Sequence, residues 1–335
     1  MSLPLQFKNC LSLPVIVAPM FLASGPELVV ACCKAGVVGT FPALNQRSSA
    51  GLDQWLTEIN ADLTLHEKQS GKKAAPYGVN LVVHKSNARL FDDLAICIKH
   101  KAPLIITSLG VVQEVIDAIH AYGGLVFHDV VNIRFAKKAA SMGADGLIAV
   151  ATGAGGHAGD WSPFALVNEI RQFYDKTVVL AGSLSSGSDI AAAQVMGADL
   201  AYMGTRFIAT LEASVQEQYK QQLLQSSAAD IVYTPVISGV PANFIRQSIA
   251  AAGIDLEQAE TPAQLDFGAE MDAANSDEVT TQAKPWKDIW SAGQGIGSID
   301  DLPASADLIT RLIREYKQAL EQQQEKASLL TGENS

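Results

Sequence analysis

Four cysteines in 335 residues, Cys10, Cys32, Cys33 and Cys97, are too few and too irregularly spaced for a zinc site or a disulfide framework. Cys32 and Cys33 fall in an apolar, helix-forming stretch, where a thiol serves as a small hydrophobe. No metal site is expected. Basic residues are also scarce: the net charge is −11 and no run of Lys or Arg exceeds two. Without a basic face the chain has nothing with which to displace counterions, so nucleic acid and anionic membranes are excluded as partners. No unbroken apolar stretch approaches the roughly 18 residues of a membrane span. The segment Met1 to Lys8 lacks a charged region followed by an apolar one. A cytoplasmic protein is expected, with its oligomeric state open and a homo-oligomer among the options.

What is abundant is apolar material, 48% of residues, enough for a large core. Short β-branched runs alternate with helix-forming stretches over the first two-thirds of the chain. The strands are expected at Val15–Ala18, Val37–Thr40, Gly78–Val83, Leu104–Thr107, Leu125–His128, Gly146–Val150, Val178–Ala181 and Leu200–Met203. Each is nearly continuous in apolar residues, as in parallel strands buried on both faces. Between them lie helical patterns at Glu27–Ala35, Ala88–His100, Val112–Tyr122, Ile133–Met142, Pro163–Tyr174 and Asp189–Met196. Three helices run into a strand through similar punctuation, Lys34-Ala35-Gly36, Met142-Gly143-Ala144-Asp145 and Met196-Gly197-Ala198-Asp199, where glycine suits a left-handed helix end.

Eight such units in about 210 residues predict an α/β fold of the TIM (β/α)8 barrel type. A doubly wound open sheet also alternates, but usually stops at five or six strands. The expected division is a barrel over 1–210, a helical cap over the barrel mouth in 211–300, and a C-terminal helix with a polar tail in 301–335. Within the cap region, Glu212–Ser226 reads as a helix and Asp255–Lys284 as a polar, acidic stretch. Leu308–Leu320 reads as a closing amphipathic helix, and Glu321–Ser335 as a tail that frays.

Barrel chemistry sits on the loops after the strands' C-terminal ends. Pro19 and Met20 follow the first strand, where proline fixes a turn that can press on a flat ring. Asn80 is an amide within the apolar third strand and needs hydrogen-bond partners if buried. His128-Asp129 ends the fifth strand, and His128 reads equally well as a pocket group or a satisfied core histidine. The sixth is followed by Gly153-Ala154-Gly155-Gly156-His157-Ala158-Gly159, which lets backbone approach a ligand and fixes one imidazole there. An imidazole suits general-base work near neutrality, and His157 is the candidate base. The run also fits Gly-x-Gly-x-x-Ala, but it follows the sixth strand and Asp160 to Pro163 intervene before a helix, so a dinucleotide fold is rejected. Gly182-Ser183 after the seventh strand and Met203-Gly204-Thr205-Arg206 after the eighth offer backbone N–H groups ahead of helices, an anion site where this fold commonly holds phosphate. One such cradle fits a mononucleotide cofactor.

Together, Ala18-Pro19-Met20, Gly78-Val79-Asn80, Ala154-Gly155-Gly156-His157, Ala181-Gly182-Ser183 and Met203-Gly204-Thr205-Arg206-Phe207 resemble the nitronate monooxygenase family, formerly 2-nitropropane dioxygenases. Trp286–Gly297, with Ala292-Gly293-Gln294, is similar to a late family segment. The resemblance implies non-covalent FMN and oxidation of a nitronate by dioxygen to a carbonyl compound and nitrite. The related FMN-dependent NAD(P)H reductases of quinones or enoyl thioesters share much of the pattern. A non-catalytic ligand-binding barrel is a third reading, disfavoured because it needs neither His157 nor the phosphate loops. By position, Asn80, Gly155, Gly182, Met203, Gly204 and Thr205 match FMN contacts, Pro19 and Met20 the first-strand contact, and His157 the catalytic histidine. Ser183 and His128 complete the expected cofactor-facing set. Several relatives carry His-Lys after the fifth strand, where this chain has His128-Asp129; the resemblance then implies either another cation, such as Arg206 or Lys284, or a different flavin potential. Trp161, Trp286 and Trp290 are expected to pack the cap rather than line the pocket.

Overall fold

The computed structural model describes residues 2–262 and 283–331. Eight parallel strands form the barrel: β1 (Val15–Val17), β2 (Thr40–Pro42), β3 (Gly78–Val82), β4 (Leu104–Ser108), β5 (Leu125–Val130), β6 (Gly146–Val150), β8 (Thr177–Ala181) and β9 (Leu200–Met203), with β7 (Gly156–His157) lying outside it. Their order is β1-β9-β8-β6-β5-β4-β3-β2. A parallel bridge from Ile16 to Val38 joins the two ends, with Val17 N donating to Val38 O at 2.8 Å, and closes the ring. Strand two therefore pairs through Val38 before β2 proper begins at Thr40, three residues later than the apolar run suggests.

Strand alternation sorts the side chains. Ile16, Leu104, Ile106, Phe127, Ile148, Val179 and Leu200 pack together inside the barrel, closed below by Phe7. Their neighbours, such as Val79, Ile105 and Val126 on one side and Leu147, Val178 and Leu180 on another, pack outward against the helices. The helices are α1 (Pro26–Lys34), α2 (Ser49–Ser70), α3 (Leu90–Lys99), α4 (Gln113–His120), α5 (Ile133–Ser141), α6 (Pro163–Arg171) and α7 (Gly187–Val195). The 22-residue α2 was not anticipated. Its signals are all local: Ser48 caps Gly51 N, Leu52, Leu56, Ile59 and Leu63 form one buried stripe, and Gly71 ends it at φ 67°.

Beyond β9 come α8 (Thr205–Ile208), α9 (Glu217–Gln225), β10 (Ile231–Thr234), β11 (Ala242–Ile245) and α10 (Arg246–Ala251). The region expected as a helical cap also contains strands. β10 and β11 form an antiparallel pair, and β11 pairs in turn with β7, so Ala242 faces His157 and Asn243 faces Gly156. Pairing buries Phe244 and Ile245 and leaves Tyr233 exposed, a burden that a lone hairpin would not sustain. Most of the acidic stretch expected between Asp255 and Lys284 lies outside the described residues. The closing helix α11 runs over Ser305–Thr331, past the expected end at Leu320 and through most of the segment expected to fray. Leu308, Ile309 and Leu312 are buried in a cluster with Ile190 of α7 and with Leu28 and Cys32 of α1, and Glu315 accepts from Gly187 N at 2.8 Å.

Candidate active site

The last inward-pointing residue of each strand forms the floor of a cavity of about 680 Å³ at the C-terminal mouth of the barrel. Ala18, Pro42, Val82, Val150 and Ala181 make it apolar, and Asn80, Ser108, Asp129 and Tyr202 supply polar atoms. Asn80 donates its amide N–H groups to Ile106 O at 3.1 Å and Ser108 Oγ at 2.6 Å. Ser108 then donates to Asp129 Oδ2 at 2.6 Å. Burial pushes the Asp129 carboxyl up to about 6, against the lowering effect of that single hydroxyl.

Alternation separates the neighbours His128 and Asp129. Asp129 shares the inward parity of Leu125 and Phe127, whereas His128 lies in register with the outward Val126. His128 is buried, its Nδ1 is 2.7 Å from Thr107 Oγ1, and it is among the residues that line the cavity. Desolvation pushes its pKa down to about 4, so it is neutral at pH 7.

His157 does not sit on a free glycine turn. It occupies β7, clamped by β11 on one side, while Gly156 N donates to Ser291 Oγ at 2.6 Å. Its Nε2 lies 3.3 Å from Ser238 Oγ, and the Trp286 ring meets it edge-on at a centroid distance of 5.1 Å. Desolvation pushes this imidazole down to about 4 as well, leaving it neutral at pH 7 and able to accept a proton. Trp286 lines the cavity, which corrects the expectation that it only packs; Trp290 does pack, stacked on Tyr219 at 5.2 Å, and Trp161 is partly exposed.

The turns after β8 and β9 line the same cavity as His157. Pro19, Met20, Gly155, Gly182, Ser183, Gly204 and Thr205 all border the cavity, as Asn80, His128 and His157 do. Gly182 holds φ 135°, and a Cβ there would come within 2.8 Å of Thr152 O. Ser183 follows at φ 57°, so the turn presses its backbone toward the cavity. The helix start is less available than the sequence suggests. Asp189 accepts from Ser185 N at 2.9 Å and Ser186 N at 2.8 Å, and Gly187 N is held by Glu315. Ser183 N also donates to Gly153 O at 3.3 Å, so an anion is left with Gly182 and Leu184 of the turn after β8 and with Gly204 and Thr205.

Three residues are placed differently from expectation. Met203 is wholly buried on the outward face of β9, and its carbonyl accepts from Ala18 N at 2.9 Å. Arg206 points away from the cavity: it donates to Ala209 O at 2.9 Å and Asp301 O at 2.8 Å, and lies 3.2 Å from Asp301 Oδ1. Lys284 is buried outside the cavity wall. Neither cation takes the place of a lysine at Asp129.

The segment 291–295 belongs to the site although only its resemblance had been noted. Gly293 N donates to Thr205 Oγ1 at 2.9 Å, Gln294 N to Gly153 O at 2.9 Å, and Ser185 Oγ to Gly295 O at 2.9 Å. A Cβ at Gly293 would meet Gly153 O at 2.7 Å, so only glycine lets this strap lie between the loops after β6 and β9. The signal was the glycine spacing in Ala292-Gly293-Gln294-Gly295.

A family profile described as nitronate monooxygenase matches residues 5–315. A nitronate monooxygenase of Paraburkholderia phytofirmans is 28% identical over 92% of this chain and 93% of its own. A (3aS,4S,5R,7aS)-5-hydroxy-7a-methyl-1-oxo-octahydro-1H-indene-4-carboxyl-CoA dehydrogenase of Rhodococcus jostii is 30% identical over 68% of this chain and 61% of its own. In fold, the chain is similar to the nitroalkane oxidase of Streptomyces ansochromogenes, with TM-score 0.77, 24% identity and coverage of 94% and 99%.

Proposed function

The chain belongs to the nitronate monooxygenase family of flavin oxidoreductases, and we propose that it binds FMN and oxidises alkyl nitronates with dioxygen to a carbonyl compound and nitrite. The observation that carries this reading is one cavity lined both by a neutral, positioned His157 and by the Gly182 and Gly204 turns. The residues present fit the cofactor. The turns offer a close backbone approach for a phosphate, and the floor holds two buried polar atoms, Asp129 Oδ1 and Tyr202 OH, that have no partner among the described residues. When bound, FMN supplies the electron transfer between the substrate carbon and dioxygen.

The chain's own residues supply position and proton handling. Met20, Phe21 and Trp286 shield the cavity from water. His157 takes the α-proton at an imidazole nitrogen when a neutral nitroalkane is the substrate, and with a nitronate it only orients the anion. A pKa of about 4 makes it a weak base in the ligand-free site, and imidazolium gains stability once an anionic substrate faces it.

The deciding experiment mixes the flavin-loaded protein without oxygen with propionate 3-nitronate and, separately, with NADH. Bleaching of the flavin by nitronate is expected. Bleaching by NADH alone would transfer the assignment to a reductase, and protein that stays colourless after FMN addition would remove both.

A further inference from the structure

Three of the four polar floor residues form a one-way chain. Asn80 donates to Ser108, and Ser108 donates to Asp129 Oδ2, so the chain ends on a carboxylate holding one hydrogen bond. Its other oxygen, Oδ1, is buried without a partner among the described residues, and so is the hydroxyl of Tyr202, a residue 91% buried on β9. Burial first, and then the Asp129 carboxyl, raise the Tyr202 phenol well above its ordinary value, which places the two groups within electrostatic reach.

The charges around Asp129 are few. β4 contributes the uncharged Ser108, β6 the apolar Ile148 and Val150, and β9 Tyr202. His128 is turned to the other face against Thr107, Lys138 of α5 bears on His128, and His157 lines the same cavity as a neutral imidazole. Among the described residues, burial and the Ser108 hydroxyl are the influences on the carboxyl, desolvation raising it against that one hydrogen bond.

We propose that Asp129 and Tyr202 form a proton-bearing anchor for the carbonyl-bearing ring of the cofactor, and that binding draws one proton from solvent onto Asp129. The inference rests on the flavin reading. The step is Asp129 carboxylate plus one solvent proton giving a carboxylic acid, whose O–H then donates to a ring acceptor beside the Tyr202 O–H. A flat ring laid over the floor removes water from the accessible part of the half-buried Asp129 side chain, and its phosphate adds negative charge to the same cavity. Both effects favour the neutral acid. The protonated acid then offers a donor where several relatives offer lysine, without burying an unpaired charge.

Calorimetric titration of the flavin-free full-length chain with FMN, at pH 8 in two buffers of different ionisation enthalpy, counts the protons. Wild type is expected to take up about half a proton or more per FMN. Asp129→Asn, which keeps a donor in place, is expected to bind FMN with no uptake. Zero uptake by wild type would overturn the inference, as would equal uptake by both proteins, which would assign the proton to the FMN phosphate. Wild type that binds no FMN would overturn the cofactor reading as well. Should Asp129→Asn fail to fold, titration of wild type with riboflavin, which lacks the phosphate, decides: retained uptake supports the inference, and lost uptake assigns the proton to the phosphate and overturns it. Tyr202→Phe supplies a second test: removing one hydrogen bond is expected to weaken FMN about three- to tenfold with the uptake retained, and unchanged affinity would remove Tyr202 from the anchor.

Discussion

Gly156 N and Ser291 Oγ, 135 residues apart in sequence, are joined by a hydrogen bond of 2.6 Å that fixes the short strand bearing His157. The same serine's carbonyl accepts from the Tyr219 hydroxyl, so Ser291 ties together the histidine strand, α9 and the strap over the mouth. Ser291→Ala removes the acceptor and strands a partly buried N–H. A loss of about 1 kcal/mol in stability is expected. The catalytic constant should fall more for neutral nitroalkanes than for nitronates, because only the former need a positioned base. Urea unfolding alongside steady-state kinetics measures both, and equal loss on the two substrates would show that Ser291 only supports the fold.

His157→Ala should retain FMN, because the cofactor cradle is formed by main chain and by the floor. Turnover of neutral nitroalkanes is expected to drop by about two to four orders of magnitude, the usual range for losing a general base. Oxidation of the preformed nitronate should fall far less. Unimpaired turnover of nitroalkane would end the base assignment.

Acid should destabilise the protein through its two neutral imidazoles. His128 and His157 have folded-state values near 4, below the ordinary 6.5, so the unfolded chain binds more protons between those limits. Their contribution is complete above pH 6.5 and is lost as pH falls toward 4. Asp129 opposes them: raised from 3.8 to about 6, it favours the folded state at low pH and loses that contribution as pH rises through 6. Thermal midpoints of the flavin-free chain should therefore fall from pH 7 to 4.5, and fall more steeply in Asp129→Asn. A shallower slope in that variant would contradict the sign.

Arg206 is a structural clamp in this chain. It is 2% exposed and joins the turn after β9 to Asp301, which also holds Arg311 at 2.8 Å. Arg206→Met should cost about 2–3 kcal/mol, less than a fully buried pair because Asp301 is 41% exposed and keeps Arg311. Once folded, the variant should bind FMN within a few-fold of wild type. A loss of affinity far beyond the loss of stability would return Arg206 to the phosphate site.

The barrel was legible because its signals are local. Each strand and each helix stripe is a periodicity within ten or so residues, and the glycine-rich turns mark themselves. Period-two alternation also carried an unused clue: counting from Leu125 puts Asp129 inside and His128 outside, and counting from Leu200 puts Tyr202 inside and Met203 outside. The loop carrying His157 was legible as a loop, and its residue type suggested a base. Whether that histidine would be held was a matter for residues 85 and 134 positions further on, Ala242 and Ser291, and no local pattern specifies which distant segment returns to pair with a given backbone. Burial decided the rest in the same way. Arg206 became a clamp and Asp129 an orphaned acid only when the folded chain chose their surroundings, since the pKa and partners of a side chain depend on what excludes water from it.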